Sequence, residues 1–462
     1  MPYKDLRAYL DRLDSDRNLT KIDAEVDPKY EISAICRKVC DAKGPALLFR
    51  NVKGYEMPVA ANLYSTRGRF AKALETTPAE IASEWLNRIA KGPIEPVIRE
   101  DGPCKENIKT GDEVNLWDLP NPLWYEKDGG YFITAPLVIT KDPETGWRNV
   151  SVYRHMIHDR KTIGIETKSY RHFYLQFKKS EEKGERFPIA IAIGVDPLTF
   201  FAAVAPFAYG EDEIAMAGAL LKSPVEMVKC ETIPLEVPAT AEFVLEGEVL
   251  PNVRKPEGPL GEFTGYYGGR GEMPVIEVKA ITHRNNPIFH ACYLGRPPTE
   301  TQLLLAVPME AEIMRACPIK GLKKVHVKES GSTFICVAQI EKSFEGQANW
   351  LGAAILGTQA GRPIKYLIIV DENIDPLSDA QVDWALATVT QPARDVTILR
   401  NMTGIHLDPS LRDDSKKASS TSKMIIDATK PSLTTFPETP NVPEEVAKKI
   451  DSNWSKYGIS LP

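Results

Sequence analysis

The stretch Glu257-Gly-Pro-Leu-Gly-Glu262-Phe-Thr-Gly-Tyr266 sets two carboxylates five residues apart, with Gly258, Pro259 and Gly261 between them. Pro259 denies the segment a regular helix, and the glycines permit tight backbone turns. Both acids are therefore expected on a constrained loop, a common location for groups that move protons. The plain alternative is a surface turn with two ordinary acids. A second stretch, Asn149-Val-Ser-Val-Tyr-Arg154, gathers an amide oxygen, a hydroxyl and a guanidinium within six residues. In a regular strand Asn149 and Arg154 point to opposite faces. They serve one site only if the strand bulges or ends between them.

Other chemistry is excluded by spacing. The seven histidines, His155, His158, His172, His283, His290, His326 and His406, form neither His-x-x-x-His nor His-Glu-x-x-His, so a helical zincin site is absent. A lone histidine is more often a structural residue than a ligand. The Gly268-Gly269-Arg270-Gly271 run lacks the third glycine and following helix of a dinucleotide loop. No Gly-x-Ser-x-Gly elbow supports a serine hydrolase.

The elements that must carry these residues alternate along the chain. Helical spacing is expected over Tyr3–Leu13, Glu31–Ala42, Arg67–Leu74 and Pro78–Ile89, with strands at Leu19–Asp23 and Ala46–Arg50. From about residue 112 strands dominate. Pro136–Thr140 and Trp147–Met156 read as a hairpin, followed by strands at Pro188–Val195, Thr240–Val249 and Pro274–Arg284. Glu213–Lys222 and Thr299–Ala316 are helix candidates, and this region of mostly strands with few helices, separated by Gly and Pro, suggests a barrel or sandwich. The last third returns to strand–helix alternation through Lys323–Lys328, Thr333–Ile340, Ala348–Leu356, Lys365–Val370, a helix capped by Ser378, and Val396–Leu399. Residues 412–422 read as a mobile Ser/Lys-rich loop, and the tail from Pro437 as a docking arm.

Size and charge narrow the function. A chain of 462 residues exceeds one core. Its 57 basic and 63 acidic residues give a net charge of −6, with no broad basic surface for nucleic acid or anionic lipid. The apolar runs are too short for a membrane span, and the N-terminus has no signal-peptide core. Seven scattered cysteines without a Cys-x-x-Cys pair argue for reduced thiols and a cytoplasmic location.

Several motifs in order, Asn149-x-Ser-x-x-Arg154, Glu213-Ile-Ala-Met-Ala-Gly-Ala-Leu220, Val237-Pro-Ala-x-Ala-Glu-Phe-Val-Leu-Glu-Gly247, Glu257-Gly-Pro-Leu-Gly-Glu262 and Lys423-Met-Ile-Ile-Asp-Ala-Thr429, make the chain resemble the UbiD-like decarboxylase family over roughly residues 5–435. The resemblance implies reversible, non-oxidative decarboxylation of an aromatic, heteroaromatic or α,β-unsaturated acid with prenylated FMN, Mn2+ or Mg2+, and K+. It places the metal ligands on Asn149, His172 and Glu213, with Glu211 as the neighbouring alternative to Glu213. The catalytic set falls on Arg154, Glu257 and Glu262. Cofactor contacts fall on Asn149, Ser151, Val152, Arg154, Arg171, His172, Pro206, Glu213 and Lys423. Phe263, Leu303 and Val307 would line the substrate pocket, the last two being equally explained as core, while His290 and Arg296 either bind a second polar substituent or are structural. The implied partners are a flavin prenyltransferase that supplies the cofactor and further copies of the chain, as a homodimer or larger assembly.

The implied architecture is mixed α/β and α+β. It comprises an N-terminal α/β part (1–111), a central split β-barrel binding the flavin (112–298), a linking helix (299–318), a C-terminal α/β oligomerisation domain (319–436) and a tail (437–462). Physical chemistry runs alongside. Losing carbon dioxide from an sp² carbon demands an electron sink that no side chain supplies. Arg154 suits a substrate carboxylate because its fork is planar and permanently charged. Glu262 is the expected proton donor. Burial would raise its pKa from roughly 4.3 toward roughly 6–7, and Arg154 would pull it down. The alternatives are a flavin-binding reductase on a similar barrel, a metal-dependent hydrolase built on His172 and Glu213, and a non-catalytic subunit of a carboxylase complex.

Overall fold

Asp5 opens the chain's first helix, its carboxylate accepting the Ala8 amide at 2.8 Å. The computed structural model describes residues 3–168, 171–411, 419–433 and 435–459. In the N-terminal part α1 (Leu6–Ser15), β1 (Leu19–Ile22), α2 (Glu31–Asp41), β2 (Ala46–Phe49), β3 (Val59–Ala61), α3 (Arg67–Ala73) and α4 (Ile81–Ile89) follow in order. The central part holds β4 (Val97–Arg99), β5 (Asn107–Thr110), β6 (Phe132–Ile133), β7 (Pro136–Lys141), β8 (Arg148–Ser151), β9 (His155–Met156), β10 (Thr162–Gly164), α5 (His172–Glu182), β11 (Phe187–Ile193), α6 (Pro197–Val204), α7 (Glu213–Leu221), β12 (Glu226–Lys229), β13 (Glu236–Pro238), β14 (Phe243–Glu257), β15 (Gly271–His283) and β16 (Phe289–His290). After α8 (Glu300–Ala316) come β17 (Leu322–Val327), β18 (Ile335–Ile340), α9 (Gln347–Gly357), β19 (Tyr366–Asp371), α10 (Asp379–Val389), α11 (Pro392–Asp395), β20 (Val396–Thr403), β21 (Ser420–Ala428) and a last helix, Glu444–Ser452.

The scaffold of the site is an antiparallel sheet in the order β10-β15-β14-β11-β7-β8, with β5 added on β15. Its alternating residues feed two different apolar cores. Ala190 and Ala192 of β11 pack with α1, α6, α7 and α8, while Ile189, Ile191 and Ile193 pack with α2 and the inner face of β14. β8 and β10 stand at opposite ends of this path, so the pairing among the described residues is that of an open sheet and does not close a barrel. The C-terminal sheet runs β17-β18-β19-β21-β20, with β18, β19 and β21 parallel. Its apolar Leu367 and Ile369 face one core and Ile368 and Val370 another, as expected of a strand buried on both sides. Two stretches differ from expectation in their bounds. β14 continues through a register shift to Glu257, eight residues past Val249, because β15 pairs with it up to Gly271. Residues 420–422, expected in a loop, belong to β21, and 412–418 lie outside the described residues.

α8 connects the parts. Thr299 and Gln302 form its capping box. Its Glu310 binds Arg67 of α3 and accepts the Val327 amide of β17 at 2.9 Å. All seven cysteines are unpaired. Among the described residues no helix is long and apolar enough to cross a membrane.

Candidate active site

β8 pairs with β7 through Thr140–Asn149 and stops at Ser151; Val152–Arg154 is irregular before β9 resumes. That break frees Arg154 from the strand's alternation, the condition under which Asn149 and Arg154 can serve one site. Asn149 is fully buried, yet neither its amide oxygen nor its amide nitrogen has a hydrogen-bond partner. Glu213, the first residue of α7, accepts the Val150 amide at 2.8 Å, so the helix start is tied to the strand beside Asn149. Burial pushes the Glu213 carboxyl up to about 8. His172 opens α5 with its ring edge-on to Trp147 and Tyr209; burial first, then Arg171 and Arg362, hold its imidazole down to about 4. An orphaned amide, a neutral imidazole and a buried carboxylate short of a cation make a donor set that suits a hard divalent ion. Glu211 is committed elsewhere, to Arg315 at 2.8 Å.

His172 and Glu213 line a cavity of roughly 320 Å³, together with Ser151, Val152, Arg154, Arg171, Pro206 and Phe263. Arg171 and Arg362 make its His172 end cationic. Lys423, expected to touch a cofactor, is not on the cavity wall. Its buried ammonium, lowered to about 8 by desolvation and Arg362, donates to the Gly361 and Arg362 carbonyls and so shapes the 359–363 segment that does line the cavity.

At the other end Arg154 is held between two acids. Its Nε and Nη2 donate to the Glu257 carboxylate at 3.1 and 3.0 Å, and its Nη1 is bonded to Glu262 Oε1. Glu257 is the last residue of β14 and Glu262 sits in the turn beyond, so only the second acid stands on a loop. Gly258 makes the junction at φ +86, where a side chain would be strained. Asp128 braces the turn, accepting the Gly261 and Tyr125 amides at 2.9 Å each, and burial raises its carboxyl to about 6. Burial also pushes Glu257 up against the pull of Arg154. Two carboxylates facing one guanidinium leave one excess negative charge, which favours a proton on the trio.

Sequence reasoning missed Glu166 and His406. Both line the cavity, with His406 Nε2 2.9 Å from Glu166 Oε1. Burial works to raise the Glu166 carboxyl, and His406, Arg154 and Lys168 outweigh it, leaving the group well below the usual range. Neither residue stands in a motif that could have flagged it. Four pocket expectations need correction. Leu303 and Val307 pack into the core, and α8 instead turns Thr301, Leu304, Leu305 and Met309 to the cavity. His290 is buried edge-on to Tyr64 and Phe200, away from the cavity wall. Its neighbours Cys292 and Glu300 lie within metal-ligand reach, but Glu300 is already occupied by the Asn62, Tyr64 and Tyr293 amides. Arg296 is exposed and opens on a different cavity.

Comparison with known sequences fits this geometry. Residues 10–89, 95–297 and 302–428 match in turn the N-terminal, Rift-related and C-terminal domains of 3-octaprenyl-4-hydroxybenzoate carboxy-lyase. The chain belongs to the UbiD family. It is a decarboxylase, a carboxy-lyase of that family. A phenolic acid decarboxylase of Sedimentibacter hydroxybenzoicus is 36% identical over 450 residues, covering 93% of this chain and 92% of the relative. The UbiD-class enzyme HmfF of Pelotomaculum thermopropionicum, solved in complex with FMN, superposes with a TM-score of 0.89 at 36% identity, covering 98% of this chain and all (100%) of that one. An evolved dimeric form of HmfF, solved in complex with prFMN, gives a TM-score of 0.85 at 34% identity over 95% and 97% of the two chains. Within this UbiD chain the motifs at 149–154, 213–220 and 257–262 meet around one cavity although far apart in sequence.

Proposed function

We propose that the protein decarboxylates an aromatic or heteroaromatic carboxylic acid, reversibly, in the cavity between Glu213 and Glu262. The observation that carries this is Arg154, a permanent cation held by Glu257 and Glu262 at the end of a cavity whose opposite end is built for an anionic group and a divalent ion. Prenylated FMN, when bound, supplies the electron sink that departing carbon dioxide requires. Ser151, Val152, Arg171 and Pro206 are placed to hold it, with Arg171 and Arg362 suited to its phosphate and Lys423 supporting the segment that carries Arg362. Asn149, His172 and Glu213 would hold manganese or magnesium beside that phosphate.

Arg154 orients the substrate carboxylate through its planar fork, and Glu257, gripping the Nε/Nη2 edge of the guanidinium, keeps that fork still. Glu262, bonded to one nitrogen only, is the freer acid and gives a proton to the carbon that carbon dioxide has left. Phe263, Leu294, Leu304 and Leu305 offer apolar walls that suit a flat ring and exclude water. The phenolic acid decarboxylase among the relatives supports the same substrate class. The partition 1–111, 112–298, 299–318 and 319–436, with the 437–462 tail, serves this site by setting the sheet against the C-terminal part across α8. Assembly through exposed Phe344, Trp350 and Leu433 of that part would give a homodimer or larger.

Expression alongside a flavin prenyltransferase, followed by a screen of aromatic acids for carbon dioxide release, tests the reading. The expected product is yellow, manganese-containing and active. Folded protein that takes up neither flavin nor manganese under those conditions overturns it.

A further inference from the structure

Glu262 stands in the wall between two cavities. One is the site described above. The other, of roughly 460 Å³, lies on the outer side of the 261–267 turn. Its mouth is ringed by exposed residues, among them Ala34 on α2, Glu126 and Tyr266. Its interior carries a pair of hydroxyls, with Tyr125 Oη 2.8 Å from Tyr293 Oη and 2.6 Å from the Leu294 carbonyl oxygen. Glu262 lines both cavities. The Tyr125 ring lies so close to Gly261 that a Cβ there would collide with it. The turn itself is held by two backbone hydrogen bonds, Glu262 N–H to the Tyr266 carbonyl and Gly265 N–H to the Glu262 carbonyl, both 2.9 Å.

The chemistry proposed for Glu262 leaves a demand unmet. Each turnover transfers one proton from its carboxyl to the product carbon and leaves a carboxylate. A second turnover needs a proton from water. The inner cavity offers a poor path. Flavin and substrate would fill it, and Thr333, Gln359 and Ile405–Leu407 of the C-terminal part cover it. The outer cavity reaches the same residue and opens to solvent whether or not substrate is bound.

We infer that the outer cavity is a proton-return chamber, through which water, with the Tyr125–Tyr293 hydroxyl pair, reprotonates Glu262 between turnovers. The inference rests on Glu262 being the donor. Balance is simple: the carboxyl O–H breaks as the product C–H forms, and a solvent proton restores the carboxyl, so each cycle consumes one proton and releases one carbon dioxide.

Plugging the chamber tests it. Ala34→Trp puts a large ring at the mouth; Glu126→Trp, on a different segment of the rim, carries the same test if the first variant fails to fold. Lys38→Trp, exposed on α2 and off the cavity wall, is the control. In the flavin-loaded plugged enzyme the first turnover should proceed at the parental rate, as a burst of one product per site, followed by a kcat lower by about ten-fold or more. Enzyme equilibrated in H2O and mixed with substrate in D2O should give mostly deuterated first product in the parent and mostly protiated first product in the plugged variant. In flavin-free protein the amides of the 261–267 peptide should exchange more slowly in the plugged variant. A plugged variant with parental kcat, isotope content and amide exchange overturns the chamber while leaving Glu262 as donor. Parental turnover by Glu262→Gln overturns the donor role itself, and the two failures are thereby told apart.

Discussion

The two ends of the cavity are built on opposite principles. Around Arg154 the guanidinium is fully engaged by protein: Glu257 takes its Nε/Nη2 edge, Glu262 contacts Nη1, and Asp128 fixes the turn that carries Glu262. Around Asn149 the accounts are left open. The amide has no partner, Glu213 is buried with only backbone donors, and His172 is kept neutral among cations. Buried polar groups in native proteins are normally satisfied. An unsatisfied cluster therefore points to a ligand that completes it, whereas the satisfied trio needs nothing beyond substrate.

Removing chemistry from the closed end should have the largest effect. Glu262→Gln is expected to lower kcat by about 10³-fold or more while fold and flavin content stay parental, measured by steady-state kinetics and absorbance. Arg154→Ala should fail comparably; a change confined to KM would make Arg154 a uniform binding contact. Next comes the open end. Asn149→Ala and Glu213→Ala should each lose manganese on elemental analysis and retain flavin poorly, and full metal content in either would break the contrast. Supporting residues rank lower. Lys423→Met should weaken flavin retention by about 10–100-fold through the 359–363 segment, read by cofactor titration. Asp128→Asn should cost several-fold in kcat by loosening the turn.

The same substitution has a signature in stability. The Asp128 carboxyl sits at about 6 in the folded protein against 3.8 for the free group. Between those values the unfolded chain has released the proton that the folded chain still holds, so stability falls as pH rises through the window. Asp128→Asn should flatten that part of the curve of melting temperature against pH. An unchanged slope would show that Asp128 does not titrate there.

Legibility in the sequence followed locality. β19 announced itself as an apolar run between turns, and the helix after Ser378 through its cap, which accepts the Gln381 amide. α5 was legible and passed over: Phe173, Gln176, Phe177 and Ser180 fall on one buried helical face. So was α6, where Asp196 caps and Pro197 takes the first turn, a start signal hidden by a uniformly apolar run. The β14 extension was not legible, since Pro251, Asn252 and Pro256 read as breakers and only pairing with β15 keeps that stretch extended. At the site, residues carried by a spaced motif were named from sequence and those set by packing were not. Leu304 was missed for Leu303 because one residue of helix turns the side chain by about 100°, and Glu166 and His406 meet only through the tertiary fold.

Four positions of the ribbon 149–154 bear on the site. Asn149 holds the unpartnered amide, the Val150 amide grips Glu213, Ser151 faces the cavity, and Arg154 reaches the acids only because the pleat has ended. The covalent backbone between them is a gauge block: it fixes how far the Glu213 end of the cavity stands from the Arg154 end, independently of what fills the gap. A one-residue insertion there would leave every side chain present and yet put the two ends out of gauge.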